Sequence, residues 1–115
     1  MIVMFSGSRD YADLDSVKSV VAGVVTSGLV KEIIVGDARG VDQAVREAAA
    51  NTEVTLTVYC ADWNQYGRRA GIIRNLDMLD RRPDLVLAFW DGSSPGTRHV
   101  INHAKKHNID LEVYK

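Results

Sequence analysis

The sequence predicts an α/β fold in three layers, a five-stranded parallel sheet with helices on both faces. Two observations predict it. A short apolar run, a Gly-rich or polar connection and a stretch of helical period follow one another repeatedly, which is the pattern of βαβ units. The chain has 115 residues, 46% hydrophobic and 25% charged, enough for one hydrophobic core but not two. A single domain over residues 1–115 is therefore expected.

Each element follows in order. "IVMF" (Ile2 to Phe5) reads as a buried strand ending at "SGSRDY". Leu14, Val17, Val20, Val21, Val24 and Val25 then recur at helical spacing, and Gly28 supplies a stop. "EIIVG" is the second strand, and "DARGVD" leads into a helix with Val41, Ala44, Val45 and Ala48 on one face. Val54 to Tyr59 is rich in β-branched residues and makes the third strand. After "ADWNQYGRRAGIIRN", Ile72, Ile73, Leu76 and Leu79 form the apolar face of the next helix. Asp84 to Trp90 is the fourth strand, introduced by Pro83. "DGSSPGT" opens a helix carrying Val100, Ile101 and Ala104, and Ile109 to Tyr114 closes the sheet with the alternation of an edge strand. Right-handed crossovers leave two common strand orders, 3-2-1-4-5 and 2-1-3-4-5. Both place ligands outside the C-terminal ends of the strands.

The totals narrow the function. A formal net charge of −1 argues against a protein that coats nucleic acid by bulk electrostatics. No apolar run approaches the roughly 20 residues of a membrane span. "MIVMFSGSRD" has no basic segment ahead of its apolar run, so no secretory signal is expected, and the expected location is the cytoplasm. Cys60 is the sole cysteine, which rules out an intrachain disulfide and a four-thiolate zinc site. No metal is expected.

The Gly, Arg and aromatic residues are distributed asymmetrically. "SGSR", "GDARGVD", "ADWNQYGRRAGIIRN" and "WDGSSPGTRH" all follow strands, whereas the opposite connections, such as "NTE" and "HN", are plain. Each cluster also has an ordinary structural explanation. Glycines after strands serve turns; Ser8 and Asp13 suit turns or caps, as do Asp37, Asp42 and Thr97; Trp63 and Trp90 suit packing. The arginines are harder to assign to structure. Arg68, Arg69 and Arg74 stand at or near the start of a helix, where the macrodipole disfavours cations, and Arg9 and Arg39 lie in strand-exit loops. Several cations beside Gly-rich helix N-termini point to an anion, and phosphate fits best. Neither G-x-x-x-x-G-K-[ST] nor G-x-G-x-x-G occurs, which argues against a P-loop ATPase and a standard dinucleotide dehydrogenase.

Taken together, "FSGSRDY", "VGDARGVDQAVREAA", "ADWNQYGRRAGIIRNLDML" and "PDLVLAFWDGSSPGT" resemble the SLOG superfamily, the Rossmann-like group that includes the DprA and LOG proteins. The nearest likeness is to its small YspA-related branch of bacteria and phages. The resemblance implies the 3-2-1-4-5 sheet and a nucleotide or nucleotide-derived ligand, ADP-ribose among the candidates, at the strand ends. It also implies that Arg74 and the Gly96–Thr97 loop belong to the site. In LOG-type phosphoribohydrolases, an arginine resembling Arg74 acts with a glutamate just after a "GGxGT" loop. Here Arg98, His99 and Val100 follow Thr97, so that glutamate is absent.

The expected ligand-binding residues are Gly7, Ser8, Arg9, Asp37, Arg39, Gly40, Asp42, Trp63, Arg69, Arg74, Asn75, Asp91, Gly92, Gly96 and Thr97. Phosphate is assigned to Gly7–Ser8, Gly96–Thr97 and Arg74. Asp37 or Asp42 is assigned to ribose hydroxyls, and Trp63 or Tyr66 to the base. No catalytic residue is assigned, and no cofactor beyond the nucleotide-type ligand is expected. The alternatives are an N-glycosidase acting on a nucleoside monophosphate, for which Asp91, Asp37 or Asp42 would have to supply the carboxylate, and a DNA-binding module. The resemblance also implies a homo-oligomer, with the Val-rich first helix or "IIRNLDML" as the candidate symmetric contact, although most of those apolar residues are expected to cover the sheet.

Overall fold

A computed structural model describes residues 1–115. The elements run β1 (Ile2–Gly7), α1 (Leu14–Thr26), β2 (Glu32–Gly36), α2 (Val41–Ala49), β3 (Thr55–Tyr59), α3 (Trp63–Tyr66), α4 (Ala70–Asp80), β4 (Leu85–Phe89), α5 (Pro95–Lys106) and β5 (Leu111–Tyr114). A 3-10 turn, Gly67–Arg69, joins α3 to α4. All strand pairs are parallel and the order is β3-β2-β1-β4-β5. Of the two strand orders open to the pattern of elements alone, this is the one the family resemblance implied.

The period-2 alternation of the central strands divides the core in two. Val3 and Phe5 of β1, Ile33 and Val35 of β2, and Leu87 and Phe89 of β4 face one side, where Val17, Val21, Val41, Ala44 and Val45 of α1 and α2 cover them. Met4, Ile34 and Val86 face the other side, under Met78 and Leu79 of α4 and Val100 and Ala104 of α5. Burying each such side chain fully contributes about 1.5–3 kcal/mol, so register and layer assignment are strongly fixed in these three strands. The edge strands are wetter: Val58 and Val113 are exposed.

Local signals set the helix ends. The Asp13 carboxylate accepts from Ser16 N–H at 3.0 Å and caps α1. Gly28, at φ +75°, lies just past its end. One expectation changes in α4. Ala70, Asn75, Met78 and Leu79 are its buried residues, while Ile72 is exposed and Ile73 and Leu76 are only half-buried. The stripe is turned because this helix covers the sheet beside the strand ends, and polar Asn75 takes an inward place.

No helix is long and apolar enough to cross a membrane.

Candidate functional site

After β3 the chain crosses back over β1 to enter β4 on its other side, so the switch point lies between β1 and β4. Their ends are in register, Gly7 beside Phe89, and Ser8 N–H donates to Phe89 carbonyl oxygen at 2.9 Å. A cavity of about 480 Å³ opens there, within the range of small-ligand sites. Its walls come from all four strand-exit connections: Ser6, Gly7, Arg9 and Asp10; Ala38 and Asp42; Trp63, Arg68, Gly71, Ile72, Arg74 and Asn75; and Asp91, Ser93, Ser94, Pro95, Gly96 and Thr97.

Close packing brings these loops together. A Cβ on Gly7 would stand 2.6 Å from Val41 Cγ2, so only glycine lets the first turn of α2 sit on the end of β1. Gly40 has φ +75° and lies against the Arg9 carbonyl, closing the second loop onto the first. Arg46 Nη1 donates to the carbonyls of Gly36 and Ala38, both at 2.9 Å, and holds that loop from behind.

At the buried end, the Arg74 side chain is 9% exposed, and Nη1 donates to Asp37 Oδ1 at 2.7 Å. Its Nε donates to Asn75 Oδ1 at 3.2 Å. Arg74 and Asp42 lie together over Gly36, where a Cβ would meet Asp42 Oδ2 at 2.6 Å and Arg74 Cζ at 2.9 Å. Asp37 also accepts from Ala61 N–H at 3.3 Å. Burial pushes Asp37 up, but the bonds from Ala61 and Arg74 outweigh it and hold its carboxyl below the usual carboxylate range. Asp42 has the opposite balance. Burial pushes it up, and Arg74, Ala38 N–H and Arg46 only partly offset this. The residue is 4% exposed, and its one hydrogen bond is from Ala38 N–H to Oδ2 at 3.3 Å.

The fourth loop is ordered by Asp91, whose Oδ1 accepts from Ser93 N–H at 2.9 Å and Ser94 N–H at 2.8 Å. Those two backbone bonds hold its carboxyl below the usual range. Ser94 then leads into α5, with Pro95 in the first helical position. The first turn of α5 leaves the N–H groups of Gly96 and Thr97 without intrahelical partners at the cavity wall, where the helix dipole favours an anion.

The exposed rim is cationic and aromatic. Arg9 Cζ lies 5.8 Å from the centroid of the Trp63 ring, and Trp63 is 48% exposed. Neither Arg9 nor Arg68 has an acidic partner, whereas Arg39 pairs with Asp10 at 3.1 Å and Arg74 with Asp37.

This arrangement coincides with sequence likeness to known proteins. Residues 1–66 match the YspA, cpYpsA-related SLOG family. The Gene 61 protein of Mycobacterium phage D29 is 35% identical, over 95% of this chain and 92% of that protein. The chain belongs to the YspA, cpYpsA-related SLOG family. The family match covers the β1 and β2 exit loops and reaches Trp63, whereas Arg68, Arg74 and the α5 turn lie beyond it.

In this SLOG chain, Gly7, Arg9, Asp42, Trp63, Arg74, Asn75, Asp91, Gly96 and Thr97 of the expected set line one cavity. Ser8, Asp37, Arg39, Gly40, Arg69 and Gly92 stand outside it. Ser8 is 1% exposed and its Oγ accepts from Asp91 N–H at 3.2 Å, so it ties two loops together. Asp37 grips Arg74 from behind, and Gly92 shapes the fourth loop at φ +90°. Tyr66 is also outside the lining, and Trp90 is held by Nε1 donating to the Ser94 carbonyl at 3.1 Å. Arg68, one of the arginines read as pointing to an anion though not among the expected binding residues, joins the wall, as do Ser6, Asp10, Ala38, Gly71, Ile72, Ser93, Ser94 and Pro95, which were not singled out as site residues. Ser93 and Ser94 were signalled by Asp91, since an acidic residue two before a Ser-rich helix start orients their N–H groups.

Proposed function

We propose that this chain binds a nucleotide or nucleotide-derived small molecule, ADP-ribose among the candidates, as a sensing or sequestering domain. One observation carries the reading. Arg9 and Arg68, without acidic partners, share a cavity with the N-terminus of α5 and the exposed face of Trp63. The helix N–H groups and the free guanidiniums suit a phosphate, and an indole face suits a base. Arg74 has Asp37 at 2.7 Å and Asp42 nearby, so the excess positive charge rests with Arg9 and Arg68. The reading requires no cofactor beyond the ligand. The test is a calorimetric titration of the folded chain with nucleoside monophosphates, cyclic nucleotides, NAD and ADP-ribose. Saturable binding that weakens in Arg68→Ala supports it; no heat with any of them refutes it.

A second reading has its own support. Asp42, Asp91 and Asp10 line the same cavity as Arg74, so carboxylates stand near the site although none follows Thr97. An N-glycosidase needs such an anion beside the cationic sugar of its transition state. Release of free base from a nucleoside monophosphate, abolished by Arg74→Ala, separates this reading from binding alone.

A further inference from the structure

Two polar side chains at the buried end of the cavity keep unused hydrogen-bonding atoms. Asp42 is 4% exposed and Asn75 is 5% exposed, and both line the cavity. Asp42 Oδ2 takes the Ala38 N–H, and Oδ1 has no partner. Arg74 Nε can only donate, so the Asn75 atom that accepts from it at 3.2 Å is the carbonyl oxygen. Asn75 Nδ2 is then left without a partner. Neither atom is sealed from the cavity, the one enclosed, unpartnered side-chain atom in the chain being His99 Nδ1. Both residues lie near one guanidinium, since Asp42 Oδ2 and Arg74 Cζ each stand within 3 Å of the place a Cβ on Gly36 would take, and Asn75 Oδ1 accepts from Arg74 Nε. The buried end of the cavity therefore presents both a free acceptor and a free donor, in a place where leaving them unpaired is unfavourable.

A hydroxyl answers that pair, because it donates and accepts through one atom. A base edge fits less well, since the aromatic face is at the exposed rim, on Trp63. On the nucleotide reading, with phosphate at α5 and base at Trp63, the sugar falls to the buried pair. We propose that Asp42 and Asn75 make this site selective for ribonucleotides over 2′-deoxyribonucleotides. The 2′-hydroxyl donates to Asp42 Oδ1 and accepts from Asn75 Nδ2. Asp37 is a positioning residue here, holding Arg74 so that Arg74 fixes Asn75.

The experiment is a calorimetric titration of the full chain with the 5′-monophosphates of adenosine, guanosine, cytidine and uridine, each beside its 2′-deoxy counterpart. A site built around a hydroxyl rejects the analogue lacking it by orders of magnitude, so at least a tenfold preference for the ribo form is expected. Asn75→Asp keeps the acceptor for Arg74 and loses the donor. In Asp42→Asn the amide oxygen takes the Ala38 N–H, which turns an NH₂ toward the ligand. Each isosteric variant brings the ribo and deoxy affinities to within threefold by weakening the ribo form, and either one that folds is decisive. Equal wild-type affinities within every pair overturn the selectivity and leave nucleotide binding standing. A preference that persists in a folded variant removes that residue's role. Absence of binding by all eight compounds overturns the selectivity together with the reading beneath it.

Discussion

Replacing Gly96 with alanine should move stability and ligand affinity in opposite directions. Gly96 occupies the first turn of α5 and lines the cavity, and a Cβ added there meets nothing within 4 Å. Glycine inside a helix costs about 0.5–1 kcal/mol relative to alanine, and a first-turn position takes the lower end of that range. For 115 residues the unfolding entropy near 60 °C is about 240 cal/mol/K, so 1 kcal/mol corresponds to about 4 °C in Tm. Gly96→Ala should therefore raise Tm by about 2 °C. A methyl group beside the Gly96 N–H keeps a phosphate from close approach, and a loss of about 1.4 kcal/mol in binding weakens affinity tenfold. Scanning calorimetry gives the first number, and titration with AMP or ADP-ribose gives the second. A folded Gly96→Ala protein that binds as tightly as wild type would refute the placement of phosphate at α5. A fall in Tm would show that the space around Gly96 is not open.

Other positions give independent checks. Gly7→Ala forces a methyl against fully buried Val41, an overpacking that costs about 1–3 kcal/mol; a Tm within 1 °C of wild type would contradict the packing described. Glu32 accepts from Arg81 and Thr57, both at 2.6 Å, and these bonds hold its folded carboxyl below the ordinary 4.5. The unfolded chain then binds more protons, so this stabilisation is present above pH 4.5 and lost as pH falls through the folded value. Glu32→Gln should be less stable at pH 7 by about 1 kcal/mol in urea unfolding, with a gap that closes on acidification; a gap independent of pH would oppose the assignment. Trp63 is 48% exposed, so Trp63→Ala should leave Tm within about 2 °C and weaken nucleotide binding about tenfold or more. Unchanged affinity would remove the indole from the site.

The fold was readable in the sequence because each central strand carries a β-branched or aromatic run and each helix a periodic stripe, as Val3 and Phe5 show against Val17 and Val21. The strand order was not fixed by these patterns, since alternation constrains layers and leaves crossover direction open; the family motifs supplied it. The clustering of unusual residues on strand exits was visible and did converge. Pairings were not visible. Arg74 and Asp37 are 37 positions apart, and nothing local reveals that one neutralises the other, or that Asp37 consequently serves from outside the cavity. The same applies to Arg68 and Arg69, identical neighbours in a 3-10 turn, of which only Arg68 reaches the wall. Ile72 looked like core because its spacing suits an amphipathic stripe, and it is exposed because α4 turns Asn75 inward.

The most direct test of the central claim is a thermal-shift titration of the folded wild-type chain with nucleoside monophosphates, cyclic nucleotides, NAD and ADP-ribose. A ligand at a hundred times its Kd stabilises by about 2.7 kcal/mol. At about 4 °C per kcal/mol, Tm should rise by about 11 °C for at least one of these compounds, and by less in Arg68→Ala at the same concentration. A folded protein whose Tm stays within 1 °C across the whole set would contradict nucleotide binding in this cavity.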